Sequence, residues 1–279
     1  MHAVCCIKQV PDTTQVKIDP ETNTLIRAGV ESICNPYDTV AVEAAVRLKD
    51  KFGGKVTVIT MGPPQADSAL RECLALGADE AILLSDRAFA GADTLATSYT
   101  LSQAISKISA TEPVHLVVCG KQAIDGDTAQ TGPGVATRLG YNQLTYVSEI
   151  ISLDLKKNTI TLRREVEGGS EIIESPLPAL LTVELQLATP RYASLPEMVR
   201  SIRQEVKVWG AKDIDSTPEQ LGLKGSPTWV KQIFTPPPRG GGTVFSTVEK
   251  KEQAIEDFLK MFFEKEQKIV NEIFSSGKG

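Results

Sequence analysis

The chain has 279 residues, of which 41% are hydrophobic and 23% charged, and a formal net charge of −5. That length accommodates one large domain, or one domain with a smaller appendage, and the composition is that of an ordinary globular chain. The acidic balance excludes nucleic acid and anionic membrane as electrostatic partners, and 5% aromatic content is too little for a surface that stacks single-stranded bases.

Met1 leads directly into "AVCCIKQV" (Ala3–Val10), a short buried run with no basic segment and signal-type apolar stretch before it. No run of about 18 apolar residues occurs, so no membrane span is expected. The five cysteines, Cys5, Cys6, Cys34, Cys73 and Cys119, are odd in number and lack CxxC spacing. They are expected to be reduced, small core hydrophobes in a cytoplasmic protein, with no metal site.

Further along, Tyr37–Gly54 is helical, with Val40, Ala44, Ala45 and Leu48 at spacings of three and four and a Gly-Gly stop. Lys55–Gly62 is a strand, Pro64–Ala78 a helix, "EAILLS" a strand, Asp93–Ser109 a helix, and "VHLVVCG" (Val114–Gly120) the fourth strand. Near-continuous apolar strands between amphipathic helices predict a doubly wound α/β fold with a mostly parallel sheet. Ligands of such sheets sit at the carboxyl ends of strands, where strand order reverses.

The loop "GKQAIDGDTAQTGP" (Gly120–Pro133) lies at such an end, with a short helix over Gly134–Gly140 after it. Glycines and a helix start suit a phosphate, whereas Asp125 and Asp127 would repel one. Asp125-Gly126-Asp127-Thr128 matches the DxDxT pattern of aspartyl phosphotransferases. No downstream lysine and paired-acid motif follows, and the pattern comes after the fourth strand rather than the first. The preferred reading makes Asp127 or Thr128 a helix cap, lets Gly126 adopt a left-handed conformation, and rests a nucleotide phosphate on donors around Thr128–Thr131.

From Thr145 the pattern alternates, with a hairpin turn at Lys156-Lys157-Asn158, and predicts antiparallel strands that extend the sheet or its edge. "ATPRYASLPEMVRSIRQ" follows, an exposed segment and then a short helix. Residues 1–208 are expected to form the nucleotide-binding domain, and 209–279 a linker, a Pro/Gly arm over Ile233–Ser246 and a partner-docking helix. That helix carries Ile255, Phe258, Leu259, Phe262 and Phe263 on one stripe.

The loop, read together with "NPYDTVAVEAAVRLK", "CIKQVPDTT", "LRECLALGADEAILL" and "LRREVEGGSEIIESPLPALLTVELQLATPRYASLP", resembles the beta subunit of electron transfer flavoproteins over about residues 1–208. The resemblance implies a Rossmann-like, adenine-nucleotide-binding fold and an alpha subunit as partner. It implies a pocket made of Cys6, of Asn35, Pro36, Tyr37 and Asp38, of Met61, and of Gly120, Lys121, Gln122, Ala123, Ile124, Asp125, Gly126, Asp127, Thr128, Ala129, Gln130 and Thr131. The wording "NPYD" and "DGDTAQ" is similar to electron-bifurcating members, in which FAD fills this pocket, NADH is the electron donor, and ferredoxin or flavodoxin is one acceptor. Respiratory members hold AMP there instead. An acyl-CoA-dehydrogenase-type enzyme is the further partner, met through Tyr192 and Leu195. Read from the residues alone, Leu195 folds back onto its own domain equally well. No side chain is expected to act as acid, base or nucleophile.

Overall fold

Period-two and period-3.6 patterns alternate through most of the chain, and the computed structural model turns them into a layered α/β fold. It describes residues 1–12, 17–18, 25–26, 32–229, 243, 245 and 251–267. The strands are β1 (His2–Cys6), β2 (Gln9–Pro11), β3 (Lys17–Ile18), β4 (Leu25–Ile26), β5 (Ser32–Cys34), β6 (Lys55–Met61), β7 (Glu80–Leu84) and β8 (Leu116–Gly120). They continue with β9 (Asn142–Asp154), β10 (Thr159–Val166), β11 (Gly169–Pro176), β12 (Ala179–Val183) and β13 (Lys207–Trp209). The helices are α1 (Pro36–Phe52), α2 (Asp67–Ala75), α3 (Thr94–Thr111), α4 (Thr131–Leu139), α5 (Leu195–Arg203) and α6 (Lys251–Lys265).

The main sheet has nine strands in the order β11-β10-β9-β12-β8-β1-β6-β7-β13. From β9 to β13 neighbouring strands are parallel, and β10 and β11 add an antiparallel edge. One face is covered by α1 and α2, which bury Val42, Ala45, Leu70 and Leu74 against Ala3, Val56 and Val58. The other is covered by α3 and α4, where Ile105, Ile108, Val135 and Ala136 meet Val4, Ile59 and Val117. Burial on both faces is what lets the parallel strands read as unbroken apolar runs.

The chain leaves β1 toward β6 and β7, then returns to place β8 on the opposite side of β1. The crevice between the carboxyl ends of β1 and β8 is therefore the switch point of the sheet.

Two features depart from the sequence reading and one agrees with it. Ala179–Val183 is not an antiparallel edge strand: it lies inside the sheet, parallel to β8 and β9, and every residue is buried. Its continuous apolar run is the signature of a strand covered on both faces. The hairpin turn predicted at Lys156–Asn158 does connect β9 to β10. Last, Met1–Ile233 is one compact unit and Phe234–Gly279 another. The boundary expected at 208/209 falls inside the first unit, because Lys207–Trp209 pairs with β7 as the ninth strand. Most of the arm over Ile233–Ser246 lies outside the described residues. Within the second unit, Phe258 of α6 stacks on Phe262 and meets Phe245 edge-on. No described helix is long and apolar enough to cross a membrane.

Candidate functional site

Two short side chains of the α1 entry organise the switch point. Asn35, 1% exposed, donates from Nδ2 to the carbonyl of Gln122 at 2.9 Å and accepts from the Ile124 N–H at 3.2 Å. Asp38, 5% exposed, accepts the Lys8 N–H at 2.8 Å and the Gly120 N–H at 2.9 Å. Both therefore hold backbone groups at the mouth of the crevice. Pro36 begins α1, where its missing N–H costs no helical bond.

Close approach of α1 to β8 depends on Gly120. A Cβ there would lie 2.5 Å from both Asp38 Oδ1 and Tyr37 Cβ. At the start of α4, a Cβ on Gly132 would lie 2.7 Å from Thr182 Cγ2 and 2.9 Å from Cys119 Sγ. The first turn of α4 thus packs down on β8 and β12, beside the crevice. Its N-cap residue is Gln130, with no side-chain cap, so the first N–H groups of the helix keep their need for an acceptor.

The expected cap at Asp127 or Thr128 is therefore corrected, since both precede the true helix start at Thr131. Asp127 instead accepts from Gln122 Nε2 at 2.8 Å. The left-handed conformation expected of Gly126 belongs to its neighbours Asp127 (φ 50°) and Ala129 (φ 53°). Aspartate tolerates that region better than most side chains; alanine there is a local strain. The Gly126 and Asp127 N–H groups both point back to the Ala123 carbonyl, closing the tip of the loop.

The acidic character that argued against a phosphate is largely answered within the protein. Asp125 receives two bonds from Lys8 Nζ, at 2.7 and 2.8 Å. Lys121 Nζ donates to Glu184 at 3.0 Å and lies 5.6 Å from the ring centres of both Tyr37 and Tyr146. The Glu184 bond holds the Lys121 ammonium above its usual pKa against the opposing effect of burial. Gln130 accepts from the Thr94 hydroxyl at 3.0 Å, which ties the loop to α3. Cys6 packs in the apolar layer under α3, and burial pushes its thiol up and keeps it neutral. Met61 ends β6 and is partly buried at the same edge.

Glu184 and Tyr146 escaped the sequence reading as site residues, and Lys8 entered it only as the end of the strand-end stretch Cys6–Lys8, with no role assigned. Lys8 sits in the quoted stretch "CIKQVPDTT", but its partner is 117 residues away. Tyr146 is placed by an irregularity in the pairing of β9 with β12, with φ at 58° and its N–H bonded to Thr182 Oγ1 at 3.2 Å. No local pattern announces that bulge.

Tyr192 and Leu195 lie away from the crevice. Tyr192 is 100% exposed and Leu195, the first residue of α5, is 73% exposed. The fold-back alternative for Leu195 is thereby overturned. Arg191 anchors the loop, donating to Glu43 at 2.8 Å and Asp50 at 2.9 Å. Burial raises the pKa of Glu43, but its bonds from Arg191 and Arg47 outweigh that and hold it below the usual range.

Residues 22–214 match the family described as "Electron transfer flavoprotein domain". The chain is 56% identical to "Protein FixA" of Azotobacter vinelandii over 86% of this chain and 85% of that protein. It is 50% identical to "Electron transfer flavoprotein subunit beta" of Clostridium acetobutylicum, over 91% and 95% of the two chains. It is also 51% identical to "Caffeyl-CoA reductase-Etf complex subunit CarD" of Acetobacterium woodii, over 88% and 92%.

Proposed function

The chain belongs to the electron transfer flavoprotein family as a beta subunit, and from that premise we propose that its switch-point crevice holds the ADP part of an FAD. The observation that carries this reading is the uncapped start of α4, packed beside a loop whose two aspartates are already engaged by Lys8 and Gln122. Helix N–H groups then face an anion, and of the two loop carboxylates that of Asp125 is balanced by Lys8. The residues present suit such a group: donors come from backbone, and Gly120 and Gly132 let the frame close up.

A flavin bound here would supply the redox chemistry, hydride acceptance from NADH and one-electron release. This chain's residues bind and orient it. Asn35 fixes the loop, Glu184 holds Lys121 between two tyrosines, and the start of α4 would direct its dipole at the phosphates. Tyr192 and Leu195 form the contact for a CoA-ester dehydrogenase or reductase, in keeping with the complex for which the Acetobacterium woodii relative is named. Of the two electrons of a hydride, one would pass through the alpha-subunit flavin to the dehydrogenase and the other to ferredoxin or flavodoxin, in a heterodimer that works in the cytoplasm.

Nucleotide analysis of the purified heterodimer tests the reading. Two FAD per heterodimer is the expected result. One FAD with one AMP would replace it by the respiratory arrangement, in which this subunit holds AMP and only the alpha subunit carries a flavin.

A further inference from the structure

We propose that Asp38 is a positioning residue of the nucleotide site, its ionised carboxylate clipping the ends of β1 and β8 together so that the loop after β8 keeps its ligand. This role, which rests on the nucleotide reading above, follows from what a switch point does to backbone hydrogen bonding. β1 and β8 pair in parallel up to Cys6 and Cys119, and beyond that pair the two chains diverge. The next N–H groups, of Lys8 and Gly120, take the two oxygens of one side chain in place of a neighbouring strand, Oδ2 at 2.8 Å and Oδ1 at 2.9 Å. A buried N–H left without an acceptor is costly, so both bonds matter.

The two bonds also fix the charge state. An ionised carboxylate accepts at both oxygens, whereas a neutral acid turns one of them into a donor. A protonated Asp38 therefore weakens its hold on one of the two strands. Facing it are Cys5 and Cys6 of β1, Cys119 of β8, Asn35 before α1, and Lys8. Burial keeps the three thiols neutral. The Lys8 ammonium is engaged by Asp125, and that of Lys121, further along the loop, by Glu184. Burial pushes the Asp38 carboxyl up to about 7, prevailing over the hydrogen bonds from Asn35, Gly120 and Lys8 that favour its charge. The clip therefore opens within the ordinary range of cellular pH, and the ligand should be released on acidification.

The full-length chain is titrated with FAD from about pH 5.5 to about pH 8.5. FAD is the probe because a terminal phosphate monoester titrates near ~6 and would blur the profile, whereas a pyrophosphate diester does not. The wild-type Kd should rise about tenfold per pH unit below the midpoint and be flat above it. Asp38→Asn should bind weakly at every pH, because an amide offers only one acceptor oxygen. Identical pH profiles for the two proteins would overturn the proposal.

Amide hydrogen exchange of the wild-type chain without ligand supplies a second measurement that needs no substitution. After correction for intrinsic rates, protection at Lys8 and Gly120 should fall on acidification while that of Val4 and Val117 persists. Protection that does not change with pH would also overturn the clip. If FAD binds at no pH while the two amides follow the expected course, the pocket reading fails and the clip stands.

Discussion

Asp38 imposes two pH dependences of opposite sign. Ligand retention should grow with pH, since the ionised acid holds the loop. Stability of the ligand-free chain should move the other way. The folded-state pKa of about 7 lies above that of an unfolded aspartate, so the stability this group contributes is fully present below the unfolded pKa and is lost as pH rises through the folded one. The expected slope is at most about 1.4 kcal/mol per pH unit, read as the difference in urea unfolding free energy between wild type and Asp38→Asn at about pH 5 and about pH 8. A difference unchanged between those conditions would mean that Asp38 does not titrate in the native chain. Two glycines make a second residue-scale contrast. Gly120→Ala places a methyl 2.5 Å from Asp38 Oδ1 and Tyr37 Cβ, and should destabilise by about 1–3 kcal/mol with loss of bound nucleotide. At Gly126 a Cβ meets nothing within 4 Å, so Gly126→Val should leave the unfolding midpoint almost unchanged. Equal effects of the two substitutions would contradict this account of the loop.

At the scale of elements, α5 is an amphipathic helix whose polar ties hold it down and whose apolar face stays outside. Arg71 of α2 donates to the carbonyls of Ser201, Ile202 and Gln204, at 2.7, 2.9 and 3.2 Å, and so caps the carboxyl end of α5. Arg200 reaches the other way, to the carbonyls of Leu74 and Ala78. Arg71→Ala should loosen α5 by about 1–3 kcal/mol, seen as faster amide exchange across Leu195–Arg203 while the core strands stay protected. Leu195, Met198 and Ile202 are 73%, 46% and 71% exposed. Leu195→Ala should therefore change unfolding stability by less than about 0.5 kcal/mol. If Leu195 anchors in a partner dehydrogenase, the same substitution weakens docking by tenfold or more, since burying a leucine is worth about 1.5–3 kcal/mol. Paired measurements of stability and docking separate the two effects, and a docking constant unaltered by Leu195→Ala would sink the anchor role.

On the scale of the molecule, the unit Met1–Ile233 carries its own two-sided core. The unit Phe234–Gly279 presents instead a short helix with Ile255, Phe258, Leu259 and Phe263 each more than 40% exposed. Such a helix cannot sustain itself by burial alone. The proposed role of its apolar stripe is to dock on the alpha subunit. Deleting residues 243–279 should leave the urea unfolding free energy of the first unit within about 1 kcal/mol of its original value and raise the heterodimer Kd by tenfold or more. Equal heterodimer constants with and without the helix would exclude this docking role.

Sequence alone missed the short strands β2 to β5 but determined the α/β class, the alternation of β1, α1, β6, α2, β7, α3 and β8, and the place of the loop after β8. Those features follow from periodicity and from glycine placement, which are local. The same locality located the hairpin at Lys156–Asn158 and the exposed segment around Leu195. Tertiary structure decided what each loop residue does. Asn35 and Asp38 turn inward because the diverging ends of β1 and β8 leave backbone groups without strand partners, and no motif reports that. Lys8 meets Asp125, and Lys121 meets Glu184, only once the sheet has brought distant strand ends together. Ala179–Val183 became an interior strand, and Lys207–Trp209 an edge, because sheet order is set by which faces the helices cover. An apolar run in a sequence carries no record of its neighbours.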